Sequence, residues 1–289
     1  MEIDFGPPYF EPDTPKPEQN EIINNFHINA LKHEDNHSYD YIASDSNGGT
    51  KSILKFFKLY ETSVPDIKTQ IQILDSIKHP NIVESSYFRY KEYICIAIPL
   101  PPEDNLHTFI HTHYPQGVPE ELASKIMFQM ISAVEYLHSI NICHCDIKLD
   151  SFLVFDSNIN NISIKLTNFS YAQKISQDEK IEKFHGTPEY CAPEIFKHIP
   201  YDAYVDIWSL GVALFVMLSG IYPFPNYRIA PKRCREMIMK GEVKYDILIS
   251  KNISADAINL VSQMCQLDPV NRISSSNALR HCWISSHNK

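Results

Sequence analysis

The chain has 289 residues, of which 44% are hydrophobic and 21% charged, enough for one large domain or a pair of lobes. Its 26 basic and 35 acidic side chains leave a net charge of −9, which argues against nucleic acid and anionic membranes as partners of the whole molecule. Seven scattered cysteines without CxxC spacing fit free thiols in a reducing compartment, the cytoplasm or the nucleus.

The opening MEIDFGPPYF is acidic and proline-containing and lacks the charged-then-apolar layout of a secretory leader. PP, EP, TP and KP steps predict a disordered or extended tail over 1–24. Residues 25–100 read as strand-rich. SNGGT (Ser46 to Thr50) predicts a hairpin turn, since glycine supplies the positive φ such turns need, and SILKFFKLY and EYICIAIPL are β-rich runs. Between these runs, Ile67, Ile71, Leu74 and Ile77 recur at helical spacing. From 101 to 289 the texture turns helical, interrupted by two short β-like runs, FLVF and ISIKL. The helix beginning after Pro119 carries two glutamates in its first turn and apolar residues at 122, 126, 130, 134 and 137. The most apolar stretch, Ile207 to Phe224, is broken by serines and glycines and predicts a buried helix rather than a membrane span. The pattern predicts an α+β chain, a small strand-rich part followed by a larger helical one.

Several motifs then occur in a telling order: ILK at Ile53 to Lys55, IKHPNIV at Ile77 to Val83, HCDIKLDS at His144 to Ser151 and TNFS at Thr167 to Ser170. GTPEYCAPE (Gly186 to Glu194), DIWSLGV (Asp206 to Val212) and LDPVNRI (Leu267 to Ile273) follow. On these motifs the sequence resembles the eukaryotic protein kinase family from Phe26 to Ile284, nearly the whole chain. GTPEY with Lys148 resembles the Ser/Thr type. YDAYVDIWSLGVALFVMLSGIYPF and ALRHCWI resemble the calcium/calmodulin-dependent kinase group. The resemblance implies a bilobal protein kinase fold, a small β-rich N-lobe over 25–100 and a larger helical C-lobe over 101–289.

It also implies roles. Glu194 and Arg272 match a structural ion pair, Asp206 the residue that binds the catalytic-loop backbone, and His144 and Phe169 a packing stack. Lys55 matches the lysine on the ATP phosphates, and Asp146, with Lys148 beside it, the base that receives the substrate hydroxyl proton. Other positions depart from the pattern. The phosphate-loop glycines fall at His33, Asp35 and Ser38, where Glu34 and Asp35 would turn negative charge toward a triphosphate. The helix glutamate that partners the lysine falls at Gln70, with Asp66 one turn earlier but short and displaced. The two metal ligands fall at Asn168 and Ser151, vestigial positions offering oxygen without charge. The hinge donor falls at Pro101, which has no N–H, and Ile53 adds bulk where the family has a small residue. ATP and Mg²⁺ are therefore expected to bind weakly or not at all.

Cys145 replaces the arginine that would read a phosphate on Ser176, and the CHC run at 143–145 is expected to serve packing rather than metal or redox chemistry. Glu103, His107 and His111 are read as a solvated helix face, so no metal site is expected. Arg228, Lys232, Arg233 and Arg235 form a cluster that is either a solvated face or a dock for an acidic partner. The chain stops soon after HCWI, so calmodulin control through a C-terminal tail is not expected. Two functional readings stay open. One is a pseudokinase-like, severely impaired domain acting through protein–protein contacts in signalling; the other is an active ATP-dependent Ser/Thr kinase using Lys55 and Asp146 on a protein substrate. Nucleotide binding without turnover lies between them.

Overall fold

A computed structural model describes residues 15–46, 49–59, 64–176 and 179–287. The chain divides into two compact units, residues 1–78 with 83–101, and residues 79–82 with 102–289.

The first unit is a sheet of antiparallel strands in the order β1-β2-β3-β4-β6-β5 with one helix. Its strands are β1 (Ile22–Ile23), β2 (Phe26–Glu34), β3 (Ser38–Asp45), β4 (Lys51–Lys58), β5 (Ser86–Tyr90) and β6 (Tyr93–Pro99), and α1 (Val64–Ser76) lies between β4 and β5 in sequence. Side chains alternate across a strand, so each face has its own core. Tyr39, Tyr41, Leu54, Phe56 and Tyr93 fill one face, and Phe56 meets Tyr41, Phe88, Tyr90 and Tyr93 edge-on at 5.8–6.3 Å. Phe57, Ile94 and Ile96 on the other face pack against Ile67 and Ile71 of α1, the helical repeat seen in the sequence.

The expectation of a tail through residue 24 is corrected for its described part. Ile23 is buried, Ile22–Ile23 pairs with β2, and the Tyr41 hydroxyl donates to the Pro17 carbonyl at 2.7 Å. Apolar and hydrogen-bonding content here outweighs the prolines; residues 1–14 lie outside the described residues. Of the SNGGT turn, Asn47 and Gly48 also lie outside them, but β3 and β4 pair on either side in antiparallel register.

The second unit opens with α2 (Leu106–His113), α3 (Glu120–Ser139), β7 (Ile142–Cys143), β8 (Phe152–Asp156), β9 (Ser163–Leu166) and β10 (Gln173–Lys174). It continues with α4 (Pro193–Phe196), α5 (Tyr204–Ser219), α6 (Pro231–Lys240), α7 (Tyr245–Ser250), α8 (Ala255–Met264), α9 (Ser275–Leu279) and α10 (Cys282–His287). Every residue of α5 from Val205 to Ser219 is buried, as expected of a core helix, and Gly220 ends it in the left-handed conformation at φ 75°. Gly211 lets α5 and α8 touch: a Cβ there would lie 2.6 Å from the Cys265 sulfur and 2.8 Å from Met264 Cβ. Two short two-stranded ladders, β7 with β10 and β8 with β9, flank the segment from 144 to 151. The architecture is the α+β arrangement that the resemblance implied, a β-rich unit and a helical one.

Candidate functional site

HCDIKLDS is an irregular loop between β7 and β8, and its shape is imposed from α5. The buried Asp206 carboxylate accepts the His144 and Cys145 backbone N–H groups, each at 2.9 Å, and the His138 ring nitrogen at 3.0 Å. Burial alone would push the Asp206 carboxyl up, but these donors outweigh it and hold it below the usual carboxylate range. Two N–H groups pointed at one carboxylate force the chain to turn, and Cys145 sits at φ 65°, a conformation that costs a non-glycine residue roughly 1–2 kcal/mol. Its side chain is buried with Cys143, sulfur to sulfur at 3.3 Å, and burial pushes the Cys143 thiol well above its ordinary value. The His144 ring packs edge-on against Phe169 at 5.0 Å and bonds to the Thr167 carbonyl.

Asp146 lies one residue past this anchor with only 5% of its surface exposed. Its Oδ1 accepts the Thr187 hydroxyl at 2.8 Å; its Oδ2 accepts the Asn168 amide at 3.3 Å and faces the Lys148 ammonium at 3.2 Å. Lys148 also donates to the Thr187 hydroxyl at 2.7 Å, closing a ring of three side chains. Gly186 makes the approach feasible: at φ 104° it lies so close that a Cβ would meet the Cys145 carbonyl at 2.8 Å. Sequence reading picked out Asp146 and Lys148 but missed Thr187, although GTPEY was in view; only the fold brings it to the carboxylate.

The two positions expected to be vestigial metal ligands are both engaged with Asp146. The Ser151 hydroxyl is fully buried and donates to the Asp146 carbonyl at 2.9 Å. Asn168 gives its amide N–H to the Asp146 carboxylate, while its oxygen accepts the Ser170 hydroxyl at 3.2 Å. Asn168 holds φ 65°, which Asn tolerates better than most residues. Among the described residues, no group of three or more His, Cys, Asp or Glu side chains is placed to hold a metal ion.

In the first unit the β2–β3 connection, where the family has its glycines, is a closed turn. Asp35 Oδ1 accepts the backbone N–H of His37 at 2.7 Å and of Ser38 at 2.6 Å, and the Asp35 N–H donates to the Ser38 carbonyl. Burial works against the Asp35 carboxylate, but the two amides overcome it and lower its pKa. The Lys58 ammonium donates to the Asp35 carbonyl at 2.9 Å and lies over the Tyr39 ring. The negative charge expected at Asp35 thus turns inward onto the loop's own amides.

Lys55 lies on β4 directly opposite Asp40 of β3, with its ammonium 5.3 Å from the Phe57 ring centre. Gln70 is buried on α1 and makes no hydrogen bond to it, and Asp66 is exposed. Asp40 went unnoticed in the sequence because its pairing depends on hairpin register. One of its carboxylate oxygens is buried without a hydrogen-bond partner; burial raises its pKa, against the pull of Lys55. Ile53 is half-buried opposite Ile98 on β6, and Pro101 is buried.

The remaining candidates separate cleanly. Glu194 and Arg272 form a buried two-pronged ion pair at 2.8 and 3.2 Å, and Arg272 also binds the carbonyls of Tyr204 and Gln266. Glu103 precedes α2 and accepts the Ser157 hydroxyl, while His107 and His111 stack on each other, so the three do not form one helix face. Ser176 is exposed, and its N–H donates to Glu179. No helix among the described residues is long and apolar enough to cross a membrane.

Comparison with known proteins agrees with this geometry. The chain is 33% identical over 227 residues to Serine/threonine-protein kinase ULK3 of Mus musculus, covering 78% of this chain and 47% of that protein. It is 30% identical to Myosin light chain kinase A of Dictyostelium discoideum, over 77% of this chain and 74% of the relative. To the CaM kinase-like vesicle-associated protein of Danio rerio it is 32% identical, over 76% and 51%. The chain thus spans about half the length of the ULK3 and vesicle-associated relatives. The protein kinase domain profile matches residues 41–284. With that match, and with relatives of the Ser/Thr, calcium/calmodulin-dependent kinase-like type, the chain belongs to the protein kinase family.

Proposed function

We propose that this chain is a protein kinase domain severely impaired in phosphoryl transfer, which acts by binding other proteins. The observation that carries the reading is the arrangement around Asp146: at one metal-ligand position Asn168 gives its amide to the would-be base, and at the other Ser151 gives its hydroxyl to the backbone carbonyl of the same residue. Phosphoryl transfer is mostly positioning and charge stabilisation, and the family relies on ATP with Mg²⁺ for it. Mg²⁺ asks for hard, charged oxygens in strict geometry. Asn168 and Ser151 bring no charge, and the Asn168 oxygen already accepts the Ser170 hydroxyl, so this donor set does not fit the ion. The first unit supports the same reading. Asp35 occupies two loop amides of the kind that cradle phosphates elsewhere, Asp40 puts a carboxylate opposite Lys55, and Pro101 lacks the hinge donor.

One observation favours a second reading, residual Ser/Thr phosphotransfer to a protein. Lys148 and Thr187 still order the Asp146 carboxylate, as a base awaiting a hydroxyl would need. The two part in one experiment: the melting shift with ATP, with and without Mg²⁺ or Mn²⁺, beside phosphate transfer to a generic protein and an Asp146→Ala control. A ligand at about a hundred times its Kd stabilises by about 2.7 kcal/mol, a shift easily read. The impaired reading expects no shift and no transfer. Transfer that disappears in Asp146→Ala overturns it.

A further inference from the structure

The chain carries net charge −9, yet α6 concentrates charge of the opposite sign. Cys234 and Ile238 anchor the helix and are fully buried, which turns Lys232, Arg233 and Arg235 outward. Arg228 and Lys197 are also exposed, from the loop before α6 and the end of α4, which packs against it. The helix itself does not call for Lys232 and Arg233. The first turn of α6 holds Lys232 and Arg233 and no acid, the reverse of what the helix dipole favours.

The cations border a row of aromatic rings. Phe184, 45% exposed, meets Phe196 edge-on at 5.6 Å, and Phe196 stacks on Tyr227 at 6.2 Å. Arg235 lies over the Phe196 ring at 5.7 Å and donates to the Tyr227 hydroxyl. Ile229, between Tyr227 and the helix, is 84% exposed. Phe196 itself is buried and backs the exposed Phe184 ring, and an exposed aromatic beside arginine is the composition of an energetic centre of protein contacts.

We propose that the α4–α6 surface of this chain docks an acidic segment of a partner protein, with one apolar or aromatic residue of that segment seated on the exposed Phe184 ring. The charge of the molecule selects this occupant over other polyanions. A nucleic acid or an anionic membrane would bring its charge against the acidic remainder of the chain, whereas a short segment meets four cations of α6 against the single carboxylate of Glu236. The inference rests on the protein-contact part of the proposed function and not on its catalytic part: a chain that transfers phosphate and also binds the segment leaves it standing.

The test is fluorescence anisotropy with a labelled peptide of Glu and Asp around a central Trp, titrated with the full chain. Binding is expected to weaken as ionic strength rises from about 0.05 M to about 0.5 M. It should fall about tenfold or more when Lys232→Gln and Arg233→Gln are combined. Arg235→Gln should weaken the Trp peptide more than an otherwise identical Ala peptide. A Lys-substituted peptide on the wild-type chain keeps the test valid should a variant misfold, and it is expected not to bind. The proposal is overturned by absence of binding, by equal affinity in a folded double variant, or by equal binding of the Lys peptide. Tighter binding of an RNA oligonucleotide or of phosphatidylserine vesicles likewise overturns it.

Discussion

The carboxylate of Asp146 accepts from Thr187 and Asn168 and faces the ammonium of Lys148, so its charge is spread over groups that belong to the chain itself. Asn168→Asp would set a second carboxylate where an amide now donates, and two such groups at hydrogen-bond distance resist joint ionisation. Both residues tolerate the left-handed backbone, so the effect is electrostatic. A loss of about 1–3 kcal/mol at neutral pH is expected, partly recovered on adding Mg²⁺, with no Mg²⁺ response in the wild type. Melts with and without the ion check this. Asp40 offers the converse test. Its unpartnered oxygen is a cost of burial that Asp40→Val removes while placing a β-branched residue beside Ile42 on a strand. Urea unfolding should show a gain of about 1 kcal/mol.

Among elements, α5 ties the loop around Asp146 to the Glu194–Arg272 ion pair. From one side it fixes the loop through Asp206; from the other its first turn receives Arg272, whose guanidinium also lies 5.4 Å from the Trp208 ring. Arg272→Ala leaves Glu194 buried without its cation, and a loss of about 3–5 kcal/mol is expected in chemical denaturation. These elements were legible in the sequence because their signals are local: a strongly apolar stretch for α5, Pro119 and two glutamates for α3, β-rich runs for the strands. Glu194, Arg272, Asp206, His144 and Phe169 were legible through motif order. What stayed hidden depends on register and on distant closure. Asp40 meets Lys55 only once the β3–β4 hairpin is in phase, and Thr187 meets Asp146 only once Gly186 permits the approach. Ile22–Ile23 was concealed by the prolines before it, because composition averages over a window and cannot see a single pair of buried residues.

For the whole molecule, stability should fall with pH through two windows, the lower of them partly offset by Asp40, whose raised pKa returns stability as it protonates. Burial depresses the His144 pKa, as it does those of His79 and His281, so the unfolded chain takes up protons before the folded one does. Stability therefore falls as pH drops below about 6.5, the ordinary histidine value. Asp206 adds a second loss. Its folded pKa lies below the ordinary carboxylate value, so its contribution is present above about 3.9 and disappears as pH falls through the folded value. Denaturation midpoints should hold level from about pH 8 to about 6.5, decline below that, and fall again below about pH 3.9, and His144→Gln should flatten the upper window without abolishing it. The Asp35 turn bears on the molecule in another way. A carboxylate whose receiving amides lie two and three positions along the same backbone has an effective concentration far above that of any free anion, since it pays no translational entropy to stay. Reinstating a glycine at Ser38 would loosen the loop and leave its tenant in place. Asp35→Ala vacates the amides, and a melting response to pyrophosphate in that variant alone would identify this turn as a phosphate site under permanent internal competition.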